Sequence, residues 1–203
     1  MRTLDSILYE SASRHKHLCP RQVLGARMGL YAAEILGLEL PRADKQLLVI
    51  AETDGCAVDG LIAATRCRVG SRTLRILDFG KVAATLTDTC LERSIRIAPA
   101  TQARSLAFEY APHARNRWEA MLHGYKSMPV EELFVAQHVQ LEMPLSELIS
   151  RPGKKVICEI CGEEVINGRE VIKDGLALCQ TCDGNTYYRV FAQAGLEASL
   201  VDI

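Results

Sequence analysis

The chain has 203 residues, 48% apolar and 24% charged, with a formal net charge of -1 at pH 7. That composition supports one medium core domain with a small appendage, and it is too neutral for a protein that grips nucleic acid through a broad basic face. No apolar run of about eighteen residues is present to span a membrane, and the acid-bearing residues 1–14 do not read as a signal peptide, so the expectation is a cytoplasmic protein whose eight cysteines are ligands or thiols rather than disulfides.

Leu4, Ile7 and Leu8 recur at helical spacing and predict a short N-terminal helix. Residues 20–38 predict a longer one. Pro20 suits a first turn, Val23, Leu24, Met28, Tyr31 and Ile35 give it a broad apolar face, and Gly37 helps to end it. Gly25 and Gly29 sit four apart on that helix and allow another helix or a strand backbone to come close. Leu47-Leu48-Val49-Ile50-Ala51 is a continuous apolar run, as in a buried strand. A short helix is expected over 59–65. Residues 73–78 and 81–87 read as strands with Phe79-Gly80 at the turn between them, followed by a strand over 94–98. Helices over 103–110 and 117–122, a helix start at Met128-Pro129, a strand over 134–141 and a helix over 144–149 complete the first part. Strands gathered mid-chain with helices around them give an α+β class, a mixed or antiparallel sheet flanked by helices. The breaker and charge cluster at 150–155, with Pro152-Gly153 at its centre, reads as a hinge. It separates a core domain, 1–150, from a small module, 155–203.

That module carries Cys158-x2-Cys161 and Cys179-x2-Cys182 with seventeen residues between the pairs. A two-residue gap lets one knuckle supply two sulfurs to a single ion, and zinc favours four thiolates at tetrahedral corners. Gly162, Asn167-Gly168 and Asp174-Gly175 supply the turns for a hairpin that returns the second pair. The expectation is a closed structural zinc site in a zinc-ribbon or treble-clef-like module. A redox pair of the thioredoxin type calls for a β-α-β context that is missing here, and an iron centre of the rubredoxin type is the smaller alternative. Tyr187, Tyr188 and Phe191 follow the last pair, as a partner surface or as packing against the chain's own core.

Three clusters earlier in the chain hold reactive residue types at short spacing: His15-x-His17-x-Cys19-Pro20, Glu52-Thr53-Asp54-Gly55-Cys56, and Arg66-Cys67-Arg68 before Gly70. In extended backbone, alternate residues point to one side, so His17 with Cys19, and Asp54 with Cys56, can aim together. One imidazole and two thiolates would make a three-ligand metal site with an open position: His17, Cys19 and Cys56. Alternatively Cys19, at a helix N-terminus, is a thiol of lowered pKa and a nucleophile. Cys19, Cys56, Asp54 and Lys81 are the catalytic candidates; Cys67 has a weaker case, and Cys90 is expected simply to pack. The bland alternative for the whole set is buried free cysteines and a histidine bonded to backbone.

His17-Leu18-Cys19-Pro20, Leu24-Gly25-x-Arg27-Met28-Gly29, Glu52-Thr53-Asp54-Gly55-Cys56 with Asp59, Cys67 with Gly70, and Asp78-x-Gly80-Lys81 together resemble the family of the formylmethanofuran dehydrogenase E-subunit. Many members of that family append a zinc-finger domain, so the resemblance covers nearly the whole chain. It implies a homodimeric α+β core with the His and Cys residues in a cleft. It also implies a partner in a molybdenum or tungsten formylmethanofuran dehydrogenase system, which reduces carbon dioxide onto a C1 carrier with its pterin and iron–sulfur groups on other chains. Two departures, Arg21 and Arg66 where the family often has glycine, imply bulky cations near the cleft. Three functions compete: a metal-binding accessory protein with a structural zinc and a second transition metal; an enzyme of C1 metabolism using Glu52, Asp54, Asp59 and Lys81 on a small polar substrate; and a zinc-finger adaptor docking a partner protein.

Overall fold

Leu47–Ala51 forms β1, buried along its whole length, and the rest of the first unit is arranged around it. The structure is a computed structural model describing residues 2–13, 17–149 and 153–191. His15, residues 150–152 of the hinge and the tail beyond Phe191 lie outside the described residues. Two compact units result, Met1–Ile149 and Ser150–Ile203.

In the first unit, β2 (Leu74–Ile76), β1, β3 (Ala84–Asp88), β4 (Arg93–Pro99) and β5 (Phe134–Val139) form one sheet in the order β2-β1-β3-β4-β5. The β1–β2 pair is parallel and the other pairs are antiparallel. The class is therefore α+β with a mixed sheet. Leu47, Val49 and Ala51 point into the main core, while Leu48 and Ile50 meet Leu148 on the opposite face. Burial on both faces is why β1 reads as an unbroken apolar run rather than an alternating one.

The strands flanking Phe79-Gly80 do not pair with each other, contrary to the expected hairpin. β2 and β3 lie on opposite sides of β1, and the segment between them crosses its end. There the Leu77 N–H donates to the Ala51 carbonyl, and the Phe79 and Lys81 N–H groups both donate to the Glu52 carbonyl. Turn residues are present, but the apolar β1 is the better partner for both strands.

α1 (Leu4–Ala12), α2 (Pro20–Leu36) and α3 (Ala57–Thr65) cover one face. α3 starts two residues before its expected first turn, directly after Cys56. α4 (Ala103–Leu106), α5 (Arg117–Ser127) and α6 (Val130–Leu133) lie between β4 and β5 in the chain, and α7 (Leu145–Leu148) follows β5. Gly37, left-handed at φ 70°, ends α2 as its position suggested.

The second unit is two hairpins rather than one: β6 (Lys155–Ile157) with β7 (Glu164–Ile166), and β8 (Val171–Lys173) with β9 (Leu176–Leu178). Asp174 and Gly175, both at positive φ, turn the second hairpin. No helix follows Cys182 among the described residues. Tyr187 and Phe191 are exposed.

Candidate functional site

Two cysteine centres result, one in each unit. In the second unit the first knuckle joins β6 to β7 and the second follows β9. One sulfur from each of Cys158, Cys161, Cys179 and Cys182 lies within 4.8 Å of the others. The knuckle geometry is fixed by backbone donors: the Cys179 N–H reaches the Cys158 sulfur at 3.2 Å, and the Cys182 N–H reaches the Cys179 sulfur at 3.3 Å. N–H groups of Cys161, Cys179 and Ile160 pull Cys158 down to about 6, against a smaller upward push from burial. The thiol of Cys179 hydrogen-bonds Cys182 and, with burial and the other sulfurs, holds it up at about 12. Four sulfurs this close cannot all ionise unless a cation sits among them. Soft, mutually close donors of this kind can hold a metal ion, and four of them leave it no open position.

The first unit's centre depends on how α2 and α3 cross. A Cβ on Gly25 would lie 1.9 Å from the Ala57 carbonyl oxygen, and one on Gly60 would lie 2.1 Å from the Gln22 carbonyl oxygen. Only glycine permits this backbone-to-backbone approach. The crossing lies in the first two turns of α2 and the first turn of α3, so their N-caps, Cys19 and Cys56, come to line one cavity. Cys19 is held in place by a reciprocal capping box. Its N–H donates to Gln22 Oε1 at 2.7 Å, and the Gln22 N–H returns to the Cys19 sulfur. Gln22 is itself fully buried, and its Nε2 donates to the carbonyl and hydroxyl of Ser11 at 3.1 Å, which locks α1 to the start of α2.

These two thiols line a cavity of about 540 Å³. Its far wall is α5. Asn116 caps that helix by accepting the Glu119 N–H at 2.9 Å, and Arg27 on α2 donates to the carbonyls of Tyr125 and Met128 at 2.7 and 2.6 Å. Gly124 allows α5 onto the backbone of Ala107. Trp118, Met121 and Tyr125, three and four residues apart, therefore present one face to the cavity. Arg21 and Arg104 also line it.

The structure sorts the sequence candidates clearly. Cys19 and Cys56 meet in the cavity. The His17 ring lies against Trp118, centroids 6.4 Å apart, and the four-cysteine cluster is the only close set of metal-ligand atoms among the described residues. Asp54 and Lys81 are exposed and do not line the cavity. Glu52 is held by Arg96 through two hydrogen bonds of 2.6 and 2.8 Å and serves as a frame residue. The lowered pKa anticipated for Cys19 is not found: burial raises it, outweighing the Gln22 N–H, and the Cys56 thiol adds to the rise. Arg21 stands at the cleft as the resemblance implied, but Arg66 does not. It caps the opposite end of α3 and pairs with Glu10 at 3.1 Å. Cys67 is buried, its thiol donating to the Leu47 carbonyl at 3.4 Å, and burial raises its pKa. Cys90 does not pack; it is exposed in the β3–β4 turn, where its N–H is held by Asp88. Sequence reasoning missed Arg104, Trp118, Met121 and Tyr125; the Trp118-x2-Met121-x3-Tyr125 spacing was the available signal.

The family model described as FmdE, molybdenum formylmethanofuran dehydrogenase operon, matches residues 14–135. A protein of Archaeoglobus fulgidus named probable S-adenosyl-L-methionine-binding protein is 30% identical over 207 residues, covering 91% of this chain and 54% of its own length. The chain thus spans about half the length of that curated relative. The crystal structure of a tungsten formylmethanofuran dehydrogenase FmdE-like protein from Syntrophus aciditrophicus superposes with a TM-score of 0.61 at 20% identity, covering 93% of this chain and 96% of that one. At that identity the likeness speaks for the fold.

Proposed function

The chain belongs to the FmdE family, and on that premise we propose that it is a metal-binding accessory protein of a molybdenum or tungsten formylmethanofuran dehydrogenase system. The observation that carries the reading is the convergence of four sulfurs within 4.8 Å. Zinc is the ion proposed for that cluster, with a structural role, because four thiolates saturate its preferred tetrahedron. A second transition metal is proposed for the cleft. Cys19 and Cys56 would be its thiolate ligands and His17, at the neighbouring Trp118, its imidazole. Cytoplasmic location, homodimerisation and partnership with the chains of the dehydrogenase belong to the same proposal.

Metal analysis of purified protein and two variants tests it. The expected result is one zinc lost in Cys158→Ser/Cys182→Ser, and a separate metal lost only in Cys19→Ala/Cys56→Ala. Metal content unchanged in the latter would remove the second site and leave the first standing.

The cavity favours a second reading, a small-molecule-binding protein. Its volume and its aromatic wall suit a metabolite. The name of the Archaeoglobus relative makes S-adenosylmethionine the first compound to titrate.

A further inference from the structure

The charges around the cavity are one-sided. Its lining contains two arginines, Arg21 and Arg104, and neither an aspartate nor a glutamate. Six of the chain's other arginines, Arg2, Arg42, Arg66, Arg93, Arg96 and Arg115, pair with a carboxylate. Arg21 and Arg104 form no such pair among the described residues. Arg104 instead lies close to the Tyr125 phenol, where its charge offsets part of the rise that burial imposes on that group. Tyr125 is nearly fully buried, and its neighbours along α5, Met121 and Trp118, continue an apolar, π-rich wall. A guanidinium presents a planar fork of donors suited to carboxylate, phosphate or sulfonate, and a ring wall beside it suits a flat apolar body.

We propose that this cavity binds a small anion that carries an aromatic ring, its charged group between Arg21 and Arg104 and its ring against Trp118, Met121 and Tyr125. The inference rests on the reading of the cleft as the functional site, and it names the class of ligand that site takes. Net negative charge distinguishes that class from S-adenosylmethionine, whose sulfonium would face the same two guanidiniums.

Trp118 is the chain's only tryptophan, and it lines this cavity. The test uses full-length, zinc-loaded protein and two probes with the same ring system: 8-anilinonaphthalene-1-sulfonate, which is anionic, and N-phenyl-1-naphthylamine, which lacks the sulfonate. Binding is read as energy transfer from Trp118 to the probe. The expected result is saturable transfer to the sulfonate, with the uncharged probe at least about tenfold weaker, as suits a charge-assisted contact. Arg21→Gln/Arg104→Gln should weaken the sulfonate by about tenfold or more and leave the uncharged probe within about twofold, and Arg21→Lys/Arg104→Lys should restore most of the preference. Equal affinity for the two probes, indifference of the sulfonate to the Gln pair, or absence of transfer from Trp118 would each overturn the proposal. Metal content measured on the same samples keeps the two questions apart, since the metal-binding reading can fail while the probe preference stands, and the reverse.

Discussion

The two cysteine centres of this protein are held by opposite means. In the C-terminal module, Cys158 and Cys161, like Cys179 and Cys182, sit on tight turns with two residues between them, and two hairpins with arms of three residues each carry the knuckles. There is little else: Cys158 and Leu178 are the module's only buried apolar residues among those described, while Ile160, Ile172 and Val190 are exposed. In the core, Cys19 and Cys56 lie far apart in the chain and meet because two helices cross at glycine over a large buried cluster. If the four cysteines hold a metal, the first site makes its fold, whereas the second is made by its fold. Removing that metal should then ruin one unit, and disturbing the packing should ruin the other.

Metal removal is the largest expected effect. Structural zinc contributes roughly 10–16 kcal/mol in small zinc-dependent folds, far beyond what two short hairpins with so little burial supply. Chelation, or Cys158→Ser, should collapse the dispersed amide NMR signals of residues 155–191 and leave those of α2, α3 and β1 in place. Retention of the module's dispersion without metal would erase the distinction just drawn.

The helix crossing comes next. Gly25→Ala puts a methyl 1.9 Å from a backbone oxygen that cannot swing away, so the helices must part. The cost should be about 2–3 kcal/mol, or a thermal midpoint lower by about 5–10 °C. Gly55→Ala is the control. Its Cβ would meet only Thr53 Oγ1 at 3.5 Å, an ordinary contact, and it should be neutral within about 0.5 kcal/mol. Gly25→Ala should also slow cross-linking of Cys19 to Cys56 by a short bifunctional thiol reagent. Unchanged cross-linking in a destabilised variant would separate the crossing from the site.

The same contrast explains what could be read from the sequence. The four-cysteine cluster was readable because its donors are spaced locally, and α2 because Pro20 and Gly37 mark its ends. β1 stood out because burial on both faces leaves a run with no polar break. The meeting of Cys19 with Cys56 has no local signature; it follows from Gly25 facing Ala57 and Gly60 facing Gln22, which only the folded chain displays. Phe79-Gly80 signalled a turn truthfully, but a turn does not say whether its flanks pair, and both flanks paired with β1. The helix-terminal position of Cys19 suggested an acidic thiol, yet burial decided otherwise. Trp118, Met121 and Tyr125 carry nothing in the sequence beyond helical spacing, and only the position of α5 turns that face toward a cavity.

Glu52 sharpens the comparison from inside the core, because it adjoins the cleft residues in sequence and yet serves the frame. Its side chain is about nine-tenths buried and takes both Arg96 contacts. Glu52→Gln keeps the shape and leaves the guanidinium without a counter-charge. Arg96 is 28% exposed, so water recovers part of the loss and the cost should be about 2 kcal/mol, below that of a fully buried pair. Urea denaturation measures it. A variant of unaltered stability in which Cys19 and Cys56 reacted differently with a thiol reagent would move Glu52 from the frame to the site.

The smallest effect is one of pH, and it lies at the far end of the same sheet. Asp88 closes β3 with its side chain 1% exposed. Burial pushes its carboxyl up, but the N–H groups of Cys90 and Leu91, the Gln46 amide and the Arg93 charge together outweigh it and hold the pKa below the ordinary 3.8. A carboxyl whose pKa is depressed by folding contributes stability that is fully present above its unfolded pKa and is lost as pH falls through the folded value. Asp88→Asn should therefore cost about 1–2 kcal/mol near neutrality. The gap to wild type should hold down to about pH 5 and close as acid takes the wild-type carboxyl through its own titration. A metal held by the four cysteines would also be lost in acid, but equally from both proteins, so it would cancel in the difference. A gap that stays constant into strong acid would mean that the turn depends on the shape of Asp88 and not on its charge.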